Sequence, residues 1–163
     1  LCTDPKGGCV FWSAGAQPPE LLMSGEVVMA TGWNGRFFNA IVGEGAPLVQ
    51  VWDGQGLDYE YFVQVKGGPN DANGMAKKAL AMMTSTEMLA GSAKYIAYAP
   101  WRKSSIAIME AGEPWYKDGK TNMVPQMPTA PANTKNYFLV DPLYWADNGT
   151  ELGEKWEAMK AGL

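Results

Sequence analysis

Histidine is absent from the 163 residues. That absence removes Ser-His and Cys-His nucleophilic catalysis, and every His-ligated metal site, from this chain. Cysteine is scarce: only Cys2 and Cys9 occur, and two thiols without other soft ligands make no zinc site. The loop between them contains the turn-rich stretch DPKGG, which can bring them to disulfide distance and would suit an oxidising compartment. Two free thiols in a frayed terminus is the other reading. Basic residues are few and scattered, 13 Lys and Arg against 17 Asp and Glu for a net charge of -4, so no basic face exists for nucleic acid or anionic lipid. No apolar run reaches the length of a membrane span, and the N-terminus carries neither a charged nor a hydrophobic signal region. The expectation is a soluble chain whose export signal has been removed or lies upstream. Gly-rich runs KGG, GEG and GQG lack the order of a phosphate-binding loop or dinucleotide fingerprint, so turns explain them and no cofactor is called for. Asn148-Gly149-Thr150 matches a glycosylation acceptor only formally.

What is present is a chain 47% hydrophobic, enough to bury the core of one ordinary domain. After the short apolar run Val10-Phe11-Trp12, Pro18 and Pro19 suit the first turn of a helix that Glu20, Leu21, Leu22 and Met23 continue and Ser24-Gly25 ends. Residues 27–31 read as a buried strand, 35–42 as a helix closed by Gly43 and Gly45, and 48–52 as a further strand. The loop DGQGLDYEY leads to an apolar segment, Phe62 to Val65. Asn70 or Asp71 can cap a helix carrying Met75, Ala79, Leu80 and Met83, and Ser85 or Thr86 a second carrying Met88, Leu89, Ala93 and Ile96. From Tyr98 the chain reads as loop-rich, with the proline-dense stretch EPWYKDGKTNMVPQMPTAPANTKN, until a final helix over 151–161. The fold class is α/β, with a helical and loop-rich C-terminal portion.

One junction raises a chemical question. Trp33-Asn34-Gly35-Arg36 lies where an apolar run gives way to a helix, and in open α/β sheets ligands sit at such strand exits. Trp33 can face a ligand there or pack under the following helix, and both readings stay open.

The order of motifs resembles a known family. FWSAGAQPPELLMSGEVVMATGWNGR, KGGPNDANGMAKKALAMMTSTEM, YIAYAPWRKSS and YWADNGTELGEKWEAMKAG look like the C-terminal half of a spermidine/putrescine-type solute-binding protein of ABC transporters. The resemblance implies part of a bilobed type II periplasmic-binding-protein fold, working with a membrane permease and binding its solute in a cleft between two lobes. It implies that residues 1–61 are the C-terminal part of lobe two and 62–163 the returning part of lobe one with the C-terminal helices. The family's N-terminal half is missing from this chain, so the rest lies in the same protein or in a second chain.

Family members that take polyamines hold a cationic ligand between ring faces and pin its ammonium groups with carboxylates, as the chemistry asks. By resemblance, Trp33 falls on a ligand-stacking tryptophan, Tyr98 on a ligand tyrosine, and Tyr59 on a third aromatic position. Where polyamine binders carry a carboxylate soon after that aromatic, this chain has Tyr61, with Asp58 and Glu60 close in register. Trp145 precedes Ala146, where polyamine binders have a glutamine. Gln17, before the Pro-Pro helix start, can place its amide near the cleft. Aromatic walls are kept while polar anchors shift, so another amine, a quaternary ammonium compound or an amino-acid derivative also fits. Each residue has a plainer reading: Tyr59 and Tyr61 alternating with Asp58 and Glu60 also describes a half-exposed strand, and Trp101, Trp115 and Trp145 can staple loops to the surface. A rival function, a carboxylate-based hydrolase, would need two carboxylates facing across a cleft with one pKa raised.

Overall fold

The computed structural model describes residues 8–111 and 118–162. Helices dominate, and a two-stranded parallel sheet is the sole sheet among the described residues. Helix α1, Gln17–Met23, has Pro18 and Pro19 in its first turn, where the missing N–H groups cost nothing. Helix α2, Asn34–Phe38, runs directly into a wider π turn over Asn39–Gly43. Both agree with the sequence reading.

The segments expected as strands do not. Residues 27–31 and 48–52 belong to no ladder, and neither is a buried strand. Val28 is 93% exposed and Met29 85%; Val49 and Val51 are exposed as well. The pattern of apolar residues favours an extended conformation, but a strand also needs a neighbour to take its N–H and C=O groups. Residues 62–65 likewise belong to no ladder and are largely exposed.

The ladder forms instead within DGQGLDYEY, expected as a loop. Strand β1, Gln55–Leu57, pairs in parallel with β2, Tyr137–Leu139, in the register Gln55 to Tyr137 and Leu57 to Leu139. Gln55 locks the pairing from its side chain, whose Nε2 donates to the carbonyls of Pro128 (2.9 Å) and Asn133 (2.7 Å). Val140 N donates to Leu57 O, and Asn136 Nδ2 to Asp53 Oδ1.

Helix α3, Met75–Met83, starts after the expected cap. Asn73, rather than Asn70 or Asp71, accepts the Met75 N–H through Oδ1, while Asp71 is used in its own turn by Gly67 N–H and the Gln64 amide. Helix α4, Thr86–Ser92, has Ser85 as its cap, accepting from Met88 N. Helix α5, Lys103–Glu110, occupies a stretch expected to be loop. It is tied to α4 by Ser105, fully buried, whose Oγ donates to Thr86 O at 2.9 Å.

The last helix, α6, spans Pro142–Ala161, nine residues further toward the N-terminus than expected. Its start is strong: Asp141 accepts from the N–H groups of Leu143 and Tyr144, and Pro142 takes the first position. Two exposed ion pairs, Lys155 with Glu151 and Lys160 with Glu157, decorate it.

The core gathers Phe38 from α2, Ala90, Ala93 and Ala97 from α4 and the segment after it, Met109 from α5, and Met123, Met127 and Ala130. Residues on both sides of position 61 therefore share one core. It is built of small and flexible side chains: alanine lets backbones approach, and methionine fills the irregular gaps. Cys9 is disulfide-bonded, and no described cysteine is free; Cys2, its expected partner, lies outside the described residues, as does Trp115.

Candidate functional site

The Trp33 motif and the Tyr98 segment meet. Asn34 opens α2 and its Nδ2 donates to the carbonyl of Ala97 at 2.6 Å, a contact between residues 63 apart in sequence. That bond sets Tyr98 over Gly35: a Cβ added at Gly35 would lie 2.8 Å from the tyrosine ring and 2.9 Å from its hydroxyl. Glycine is required there so that the ring can rest on the helix backbone. Trp33, the residue before α2, lies against Gly15 in the same manner, with ring carbons 2.5 and 2.7 Å from where a Cβ would be. Trp12 meets it edge-on at 5.5 Å. Trp33 remains 56% exposed and Tyr98 42%, so each ring is seated on one side and open on the other.

Beside these rings is a cavity of about 610 Å³ between α1, α2 and the Tyr95–Tyr98 segment. Its charged groups are Glu20, Arg36 and Glu44, and its aromatic ones Phe38, Tyr95 and Tyr98. Glu44 is steadied by Asn39, whose Nδ2 donates to its Oε1 at 2.8 Å.

The other expected site residues fall elsewhere. Tyr59 is sandwiched: Trp101 stacks on it at 4.3 Å and Tyr61 lies parallel at 6.3 Å. Asp58 Oδ1 accepts from the N–H of Tyr59. Trp101, read as a loop staple, is the third member of this stack. Two residues separate it from Tyr98, so one short segment serves both aromatic groups.

Trp145 lies in the first turns of α6 rather than in a loop, edge-on to Tyr144 at 6.1 Å and half exposed. Gln17 does not offer its carbonyl to a cleft: Oε1 accepts from the N–H groups of Ser13 (2.7 Å) and Ala14 (2.9 Å), closing the turn before α1. What the sequence reading missed is the charged lining, Arg36 above all, although it completes the motif that drew attention to Trp33. Among the described residues no carboxylate is buried, and no three His, Cys, Asp or Glu side chains converge as metal ligands would. No described helix is long and apolar enough to cross a membrane.

Comparison with known proteins decides the kinship. The model of a family described as "Bacterial extracellular solute-binding protein" matches residues 3–128. The chain belongs to that family. A gamma-aminobutyric acid-binding protein of Pseudomonas aeruginosa is 37% identical over 156 residues, covering 96% of this chain and 41% of the relative. Among solved structures, an ABC transporter substrate-binding protein from Bradyrhizobium japonicum is similar, with a TM-score of 0.66 and 25% identity over 91% of this chain and 43% of that one. This solute-binding protein chain therefore spans about two-fifths of the length of these relatives, and its architecture is a portion of the periplasmic-binding-protein fold. One relative is thus named for binding a solute and the other for binding the substrate of an ABC transporter.

Proposed function

We propose that the protein is the solute-binding component of an ABC importer, working outside the cytoplasm, in the periplasm, and handing a small amine-bearing solute to a membrane permease. The observation that carries this reading is the seating of Tyr98 on Gly35, half-exposed and lining a cavity about 610 Å³ in volume, with Trp33, which does not line the cavity, seated in the same manner on Gly15. Open ring faces attract an ammonium group, by about 0.5 to 2 kcal/mol depending on how dry the site becomes. Glu20 and Glu44 supply the anionic partner that a desolvated ammonium needs.

The remaining binding assignments belong to the same proposal. Tyr59, Tyr61 and Trp101 form a second aromatic wall, and Trp145, Asp58 and Glu60 approach the solute once the rest of the protein is in place. Residues 1–61 are assigned to lobe two and 62–163 to the returning part of lobe one with the C-terminal helices. The exposed apolar segments at 27–30, 49–51 and 61–65 are then strands awaiting neighbours from the rest of the protein.

Two solute classes fit the amine requirement, polyamines and amino-acid-like amines. The name of the Pseudomonas relative favours the second. A thermal-shift survey of the full-length protein against polyamines, ω-amino acids, quaternary ammonium compounds and sugars tests the reading. A rise in melting temperature confined to amines is expected. A response to sugars alone, or to nothing in the panel, contradicts it.

A further inference from the structure

We infer that Gln17 is a positioning residue for solute binding: its side-chain carbonyl closes a turn that presents Trp12 and Gly15 together as the seat of Trp33. The inference rests on the reading of Trp33 as a ring that meets the solute. Trp12, itself half-buried, meets that ring edge-on at 5.5 Å with the two planes at 76°. Gly15 lies against it so closely that a Cβ there would stand 2.5 Å from a ring carbon. Two contacts from one short segment fix where the ring stands, provided that the segment keeps its shape.

Gln17 supplies that shape. Its Oε1 accepts from the N–H groups of Ser13 (2.7 Å) and Ala14 (2.9 Å), the two residues between Trp12 and Gly15, and its own N–H donates to Ala14 O at 3.0 Å. One side chain thus spans the whole seat. On the other flank Phe11 meets Trp156 of α6 edge-on at 5.2 Å, and Cys9 is disulfide-bonded, so Trp12 is held from both directions. The seat matters because Trp33 is 56% exposed. Without it the indole would turn freely, and a cation is attracted to the face of a ring rather than to its edge. A wall ordered in advance also loses less side-chain freedom when the solute arrives.

Titration calorimetry and indole NMR on the full-length protein, with γ-aminobutyric acid as the probe, test the inference. Gln17→Met removes the acceptor at nearly constant length and keeps the backbone bond from position 17 to Ala14, so the helix start survives. Affinity should fall about two- to thirtyfold, the range of one cation–π contact. The Trp33 indole N–H resonance, assigned by its loss in Trp33→Leu, should move as the Trp12 ring shifts. Gln17→Glu keeps an acceptor oxygen in the same place and should restore both affinity and resonance. In the Trp33→Leu background Gln17→Met should weaken binding no further. An equal loss from Gln17→Met and Gln17→Glu would mean that the amide touches the solute itself, and an equal loss in both backgrounds that the effect bypasses Trp33; either overturns the inference. A resonance that Gln17→Met leaves unmoved overturns the seat, while binding by the native protein leaves the amine site standing. A moved resonance with unchanged affinity overturns Trp33 as a solute wall, and no binding by the native protein overturns the amine site; the role of Gln17 falls with each.

Discussion

The contact between Gly35 and Tyr98 permits a sharp perturbation, Gly35→Ala. The new Cβ would stand 2.8 Å from the tyrosine ring, and ordinary contact begins at 3.4 Å, so ring and helix must separate. One cost opposes one gain. Alanine in place of glycine inside a helix contributes about 1 kcal/mol of stability, whereas forcing a methyl into a filled space costs about 1 to 3 kcal/mol. The lower end applies here, because Tyr98 is 42% exposed and its ring can swing toward solvent. Net stability should therefore change by less than about 1 kcal/mol in urea denaturation, with an unchanged slope. Solute affinity should fall more, because the displaced ring no longer presents its face: about 0.5 to 2 kcal/mol, or about two- to thirtyfold in Kd. A double-mutant cycle with Tyr98→Ala isolates the mechanism. If Gly35→Ala acts through the ring, it should have no effect on affinity in the Tyr98→Ala background. An equal loss in both backgrounds would refute the reasoning, since the helix rather than the ring would then carry the effect.

Other expectations concern the scaffold. Gln55→Ala removes two hydrogen bonds that fasten β1 to the carbonyls of Pro128 and Asn133; it should destabilise the protein by about 1 to 3 kcal/mol, measured by urea unfolding. Ser105→Ala leaves the Thr86 carbonyl without its buried donor and should cost about 1 kcal/mol by the same assay, whereas Ser104→Ala, at an exposed position, should cost less. Asp118 is held well below an ordinary carboxylate, at about 2 against 3.8, first by the Thr121 hydroxyl and then by the Thr121 and Lys120 N–H groups. Because its folded pKa is depressed, its contribution is fully present above pH 3.8 and is lost as the pH falls through about 2. The stability gap between the native protein and Asp118→Asn should therefore narrow across that window. A gap that stays constant from pH 5 to pH 2 would contradict the assignment.

How much of this was legible in the sequence depends on how local the cause was. Helices α1, α2 and α4 announced themselves through Pro18-Pro19, through the apolar spacing after Gly35 and through Ser85, all signals within one or two turns of what they determine. Strand β1 was invisible because its partner lies some 80 residues away, and nothing in GQGL separates a strand from a turn until Tyr137–Leu139 arrives beside it. The runs at 27–31 and 48–52 failed differently: their residues prefer an extended form, but burial depends on neighbours that the described residues do not supply. Helix α5 was hidden by Pro100-Trp101 and the serine pair after it. The start of α6 was readable in Asp141-Pro142, yet Asn148 and Gly149 weakened the pattern enough for its first half, with Trp145, to pass as loop.

At the site, the aromatic identity of Trp33, Tyr59 and Tyr98 was visible, and the grouping was not. Pairing Tyr98 with Gly35 rather than with Tyr59 depends on the Asn34 bond to Ala97. Nothing in the sequence groups Glu20, Arg36 and Glu44, which three elements place around one cavity.

The most direct test of where the solute sits is hydrogen exchange of the full-length protein, by mass spectrometry, with and without saturating γ-aminobutyric acid. Slowed exchange is expected in peptides covering residues 33–38 and 95–99, with the last turns of α6 unaffected. Protection that leaves both stretches unchanged and falls elsewhere would contradict the assignment of the solute to the wall formed by Trp33 and Tyr98.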